Sequence, residues 1–227
     1  MLGGGRIVLG NDQDCIGGCL EAGQRFNGRL YRMNMYNYVL TQDQVLQSLC
    51  GSLAAGNLKT WEQLTRDLRG NKVYLEQTTS PTLTAYCPND WDLSFGSADT
   101  GHYTVTTIGP TLTAMSLSFW MHALDADGQQ YHYLISYATV DMDNTFLLRT
   151  SPDFVFGVVA QEVILQTTAE NRAHDGQWHH YVITWRSSDG RTRLFRDGGL
   201  LAVRTLAQGA SIKSGGEWLD STSKCCA

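Results

Sequence analysis

The chain has 227 residues, 42% hydrophobic and 17% charged, with 23 Gly and 4 Pro, an ordinary globular make-up long enough for one large β domain or two small ones. A formal net charge of -5 at pH 7 and a pI of about 5.6 argue against nucleic acid, which calls for a basic face. No apolar run approaches the ~20 residues of a membrane span.

The first stretch, MLGGGRIVLG, lacks the basic and apolar regions of a secretory leader. It reads as the inside of a strand behind a Met, as in a fragment or an unusual gene model. Directly after it, GRIVLGNDQDCIGGCLEAGQRFNG crowds Asp12, Asp14, Glu21 and Gln24 around the Gly17-Gly18 pair. GRLYRMNMYNYVL then reads as a strand to Leu40. LTQDQVLQSLCG predicts one short helix, with Thr41 as N-cap, Gln44 completing a capping box and Gly51 as the stop. KTWEQLTRDLRG is compatible with a second amphipathic piece.

Residues 78–90, TTSPTLTAYCPND, are polar and hold two of the four prolines, which marks a linker. Beyond it, short alternating or β-branched runs recur: HYTVTTI, MSLSFWMHAL, YHYLISYA, NTFLLRT, DFVFGVVA, EVILQTT, WHHYVITW, TRLFRDG and LLAVRTL. The Asp-Gly turns in DADG, HDG, SSDG and RDGG lie between them. Many strands and little helix predict an all-β, antiparallel two-sheet jelly roll. EWLDSTSKCCA, residues 217–227, fits no element and reads as a tail. Met33, Met35, Trp61, Trp120 and Trp185 are expected in the core.

Six cysteines, none in a CxxC pair, leave disulfides possible in an oxidising compartment without giving their connectivity. DADG at Asp125 resembles an EF-hand start, but the twelfth position is Ser136 rather than Glu. The six histidines show no metal spacing. No Glu-x-Asp-x-x-Glu run of a laminarinase-type hydrolase and no Gly-x-Ser-x-Gly nucleophile motif occurs.

IVLGNDQDCIGGCLEAGQRFNGRLYRMNMYNYVLT resembles the second half of a pentraxin domain. The matching positions are Leu9-Gly10, Asp12-Gln13-Asp14, Gly17-Gly18, Glu21, Gln24 and Asn34-Met35-Tyr36. NLKTWEQLTRDLRGNKVYL resembles the family's closing segment. SLSFWMHAL, YLISYATVDMDNTFLLRT and WHHYVITWRSSDGRTRLFRDGGLLAVRT resemble its first half. Within His180-x-x-x-Thr184-Trp185 the family's usual Cys is Val182, and Trp120 is expected at the partner position, so apolar packing should replace that internal disulfide. The halves stand in swapped order. Residues 1–77 match the second half, 78–84 serve as linker, and 85–216 match the first half. Joining Gly216 to Gly3 would restore the family order. A circular permutant and a slice through a tandem array both give this pattern. Completion of one concanavalin/laminin-G-like sandwich within the chain is expected, because half a sandwich leaves an apolar face and raw strand edges in water.

The resemblance implies calcium. Two charges about 4 Å apart interact by roughly 4 kcal/mol at an effective dielectric of 20, and a divalent ion with hard oxygen ligands offsets that repulsion. The implied ligands are Asp12, the carbonyl of Gln13, Asp14, Glu21 and Gln24, completed by Asp143-Asn144 from the other half, around two Ca2+ ions. The competing reading is an acidic turn whose Asp side chains cap their own backbone. In the family, bound calcium receives a phosphate, carboxylate or sugar oxygen. Glu162 matches the acid that faces a choline cation, whereas the aromatic position is Arg149, which favours an anion. The resemblance therefore implies calcium-dependent, lectin-like binding of an anionic small molecule, glycan or cell-surface ligand by a non-enzymatic, extracellular protein, and is compatible with a homo-oligomer. A structural adhesion module of a larger extracellular protein is the first alternative, and a concanavalin-fold glycoside hydrolase the second.

Overall fold

The computed structural model describes residues 5–66, 68–69, 74–77, 91–95, 103–104, 108–123, 131–151, 153–165 and 173–214. The expected linker and tail, the Asp125 turn and Cys87, Cys225 and Cys226 lie outside the described residues. Two antiparallel sheets carry the fold. The five-stranded sheet runs in the order β1 (Arg6–Leu9), β8 (His132–Thr139), β9 (Met142–Ser151), β10 (Asp153–Val158), β11 (Gln161–Leu165). The seven-stranded sheet runs β14 (Gly199–Thr205), β13 (Arg191–Arg196), β12 (Trp178–Arg186), β7 (Ala114–Ala123), β2 (Gly28–Tyr36), β5 (Trp91–Phe95), β4 (Tyr74–Gln77). A two-stranded piece pairs β3 (Leu68–Arg69) with β6 (Tyr103–Thr104).

Both sheets draw on both halves of the chain. Arg6–Leu9 pairs with Ile135–Ala138, and β2 pairs on one side with β7 and on the other with β5. The inner faces meet in one apolar core. Met33, Met35, Phe119, Tyr181 and Trp185 of the larger sheet share it with Ile7, Leu9, Tyr137, Phe146 and Phe154 of the smaller. The rings of Phe154 and Tyr181 approach to 4.6 Å between the sheets. Each such side chain contributes about 2 kcal/mol by leaving water, so neither sheet is stable with its inner face bare.

The turns follow the sequence. Asp197 (φ +50°) and Gly198 (φ +81°) form the tight reversal between β13 and β14, where a left-handed pair matches the strand twist. Between Tyr31 and Asn34 the β2–β7 register slips at Arg32 (φ +48°). This bulge shifts the alternation by one residue, so Leu30, Met33 and Met35 all reach the core while Tyr31, Asn34 and Tyr36 face outward. β2 ends at Tyr36 rather than Leu40.

The predicted helix is α1 (Gln42–Leu49), with both halves of the Thr41–Gln44 capping box formed and Gly51 at φ +69°. A second helix, α2 (Trp61–Arg66), forms within KTWEQLTRDLRG, the stretch compatible with a second amphipathic piece. Thr60 and Gln63 open it with the same reciprocal cap at 3.2 and 3.1 Å. Helix α1 and the segment up to α2 cover the outer face of the larger sheet. Trp120 is therefore buried there against Tyr31 and not in the main core. Opposite Val182 stands Ser118, not Trp120, which faces His180. Register thus corrects the expected partner position of the missing disulfide to Ser118. Val182 packs with Tyr36, Leu40, Val45 and Phe195 instead.

Candidate metal and ligand site

Loop 10–27 leaves β1 and returns to β2 across one end of the smaller sheet. Gly10, at φ +80°, makes the first turn, and any side chain on it would run into the Phe95 ring. Its N–H donates to the Leu134 carbonyl (2.9 Å), and its carbonyl accepts from Phe26 N–H (2.8 Å), so both loop ends are tied to one point. Gln13 is wholly buried and braces the rest. Its amide donates to the carbonyls of Arg6 (2.8 Å) and Ser136 (3.0 Å), while its oxygen accepts from Gly17 N–H (2.8 Å). Ser136 lies 123 residues on, so the second half of the chain holds the loop of the first.

On this frame Asp12 is 2% exposed, Asp14 and Glu21 are exposed and Gln24 is half-buried. Asp143, exposed, and Asn144, half-buried, come from the start of β9. The remote stretches meet electrostatically. Burial above all, with the charges of Asp14 and Asp143, pushes the Asp12 carboxyl up to about 6, against the lowering hydrogen bond from Gln13 N–H. Burial, Glu21 and Asp143 likewise raise Asp14. Four carboxylates therefore share one locality although Asp143 lies far from the other three along the chain.

The remaining oxygens bear on what this locality could hold. Gln24 Oε1 and Asn144 Oδ1 are buried and accept no hydrogen bond among the described residues. Leaving a buried acceptor unmet costs about 1–3 kcal/mol, and a hard cation satisfies such an oxygen. One oxygen of Asp12 accepts from Gln13 N–H (2.9 Å) and one of Asp143 from Asn144 N–H (2.8 Å). These Asx-type bonds are what an acidic turn would make. Neither accounts for the amide oxygens. Among the described residues no group of three or more His, Cys, Asp or Glu side chains converges to hold a metal by itself. The expected set differs from such a group in relying on two amides and a main-chain carbonyl. The donor types present fit calcium.

Three contributors were not foreseen. Cys15 and Cys19 form a disulfide that closes the turn around Gly17-Gly18, between Asp14 and Glu21. The four-residue separation across a Gly-Gly pair was the available signal. Cys50 is free and exposed. Tyr133, on β8, hydrogen-bonds to Asp12 and also feels the charges of Arg149 and Glu162, so it connects the acidic cluster to the expected ligand residues. Arg25, which bridges to Tyr133 beside Gln24, has a buried Nε without an acceptor among the described residues. No motif marks either.

Arg149 and Glu162 are close, but each occupies the other. Arg149 Nη2 donates to Glu162 Oε2 at 2.8 Å, and the guanidinium lies 4.4 Å from the Tyr131 ring centre. Arg149, expected to favour an anion, thus already has its charge paired with Glu162. Its Nε nevertheless is buried without an acceptor among the described residues.

Comparison with known proteins matches the family profile described as "Pentaxin family" to residues 3–76, and that described as "Concanavalin A-like lectin/glucanases superfamily" to residues 95–221. The protein "Sushi, von Willebrand factor type A, EGF and pentraxin domain-containing protein 1" of Mus musculus is 38% identical over 132 residues, 57% of this chain and 4% of that protein. "C-reactive protein 3.3" of Limulus polyphemus is 32% identical over 116 residues, 47% of each chain. "Pentraxin-4" of Homo sapiens is 35% identical over 133 residues, 55% of this chain and 27% of that one. The matched region spans less than half the length of each of these relatives.

Proposed function

The chain belongs to the concanavalin A-like lectin/glucanases superfamily, with a pentraxin segment over residues 3–76, and from that premise we propose that it is a calcium-dependent, lectin-like binder of anionic ligands. Asp12, the Gln13 carbonyl, Asp14, Glu21, Gln24, Asp143 and Asn144 would hold one or two Ca2+ ions. When bound, calcium would supply a Lewis-acidic surface whose open positions take a phosphate or carboxylate oxygen. Arg149 and Arg25 would offer N–H donors to the same anion, and Glu162 would orient Arg149. The protein would act by binding alone, in an extracellular setting, and not as an enzyme. No helix among the described residues is long and apolar enough to cross a membrane. We further propose that residues 1–77 and 85–216 are the two halves of one domain in swapped order, with 78–84 as linker and 217–227 as tail.

The observation that carries this reading is the pair of orphaned amide oxygens, Gln24 Oε1 and Asn144 Oδ1, on the two segments whose carboxylates raise one another. The test is thermal melting in millimolar calcium against chelator. Calcium at a hundredfold its Kd should raise Tm by roughly 5–10 °C for a chain of this size. Asp14→Asn and Asp143→Ala should each weaken calcium binding at least about tenfold, a loss of ~1.4 kcal/mol. Immobilised phosphoethanolamine should retain the protein only with calcium. An unchanged Tm, or sensitivity to Asp14 alone, would sink the shared site.

A further inference from the structure

On the outward face of the seven-stranded sheet, the face turned away from the smaller sheet that carries loop 10–27, a cavity of about 320 Å3 opens between the strands and the segment joining α1 to α2. That volume lies at the small end of ligand pockets. Its walls are held by main-chain anchors. Asn34 Oδ1 accepts from Gly56 N–H (3.0 Å), Tyr36 Oη donates to the Ala54 carbonyl (3.1 Å), and Met35 N–H donates to the Lys59 carbonyl (2.9 Å). Gly56 packs too tightly on Met35 and Lys59 to accept a side chain. The cavity is therefore formed before any ligand arrives, which lowers the cost of binding.

Three aromatic rings line it: Tyr36 and Trp120, each 2% exposed, and Trp61, half-buried at the lip. Between them lie uncharged hydrogen-bonding groups. His180, 1% exposed, contacts Ser118 Oγ through Nε2 at 3.2 Å, and its Nδ1 is buried with no partner among the described residues. Burial pushes the imidazole down to about 4, so the ring is neutral at pH 7. The charged lining residues, Arg32 and Glu62, are half-buried and exposed respectively. The interior thus offers aromatic surface and neutral donors and acceptors, with no buried charge to favour an ion. Such a lining suits a molecule with one apolar face and several hydroxyl groups.

We propose that this cavity is a second, calcium-independent binding site for a small neutral polyhydroxyl ligand of hexose size. The ligand's apolar face would rest on Trp61 and Trp120, with a hydroxyl meeting His180 Nδ1. The site is independent of the calcium site, so the test is run in EDTA and its failure leaves that reading untouched. Methyl glycosides of glucose, galactose, mannose and N-acetylglucosamine are titrated to about 50 mM, above the millimolar Kd a small ligand gives. Tryptophan fluorescence and saturation-transfer NMR follow binding. At least one glycoside should give a saturable change that is the same with calcium. Trp61→Ala should weaken it at least about tenfold, and Trp61→Phe should recover part of the loss. The proposal is overturned if no glycoside saturates either signal in the wild-type protein, if binding requires calcium, or if a folded Trp61→Ala protein binds as well as wild type.

Discussion

Individual side chains divide sharply between those whose partners are local and those whose partners are remote. The acidity of loop 10–27 was plain from Asp12, Asp14 and Glu21, and the family resemblance added Gln24, Asp143 and Asn144. That Asp12 is buried while Asp14 is not could not be read, because exposure depends on which strand lies beneath the loop. The Arg149–Glu162 pair is a case of the same kind. Both residues were singled out, yet their mutual neutralisation arises from the facing of β9, β10 and β11, which sequence spacing does not reveal. His180 carries a prediction at this scale. Burial depresses its imidazole from 6.5 to about 4, with the Asp197 charge opposing. Between those values the unfolded chain takes up a proton that the folded protein refuses, so stability falls as pH drops from 6.5 towards 4. The contribution of this one group is about 3 kcal/mol at 1.36 kcal/mol per pH unit. Urea melts over pH 4–7 should show wild type losing about 3 kcal/mol more than His180→Gln on acidification, and parallel curves would place the ring in water.

Secondary elements were read better than single contacts because their signals repeat along the chain. The cap of α1, the Asp-Gly reversals and most strands were legible from a few neighbouring residues. Thr60 and Gln63 announce helix α2 in the same local way, whereas nothing but the pairing with β7 reveals the shifted register at the Arg32 bulge. The disulfide loop is the element with the clearest consequence. Cys15–Cys19 fixes the turn that separates Asp14 from Glu21. Closing so short a loop stabilises by roughly 2 kcal/mol on chain-entropy grounds. Replacing both cysteines by Ser should therefore lower the calcium-free Tm by roughly 4–8 °C. It should also weaken calcium binding several-fold, because the carboxylates would no longer be held together against their repulsion. Isothermal titration with calcium checks the second effect, and an unaltered affinity would make the bridge purely structural.

Across the whole molecule, the order of segments matters less than their mutual fit. Tyr137 Oη donates to the Lys213 carbonyl (3.1 Å), and its ring lies so close to Gly5 that no Cβ would fit. The two ends of the described chain therefore meet at one side chain. A reordered protein running from Trp91 to Ser214, then through a short glycine linker to Gly5 and on to Gln77, should fold to the same sandwich and keep its calcium-linked Tm shift. Circular dichroism and melting check this, and a protein lacking a cooperative melt would show that chain order is essential. What the sequence determined by itself is the set of strands, turns and one capped helix, since these depend on neighbours a few residues apart. The family resemblance supplied the ligand types. Only the tertiary structure decided which remote residues come together. Gln13 reaches Ser136, Ser118 rather than Trp120 faces Val182, and Asp143 adds its charge to Asp12, because sheet register, and not proximity along the chain, sets distances between remote strands.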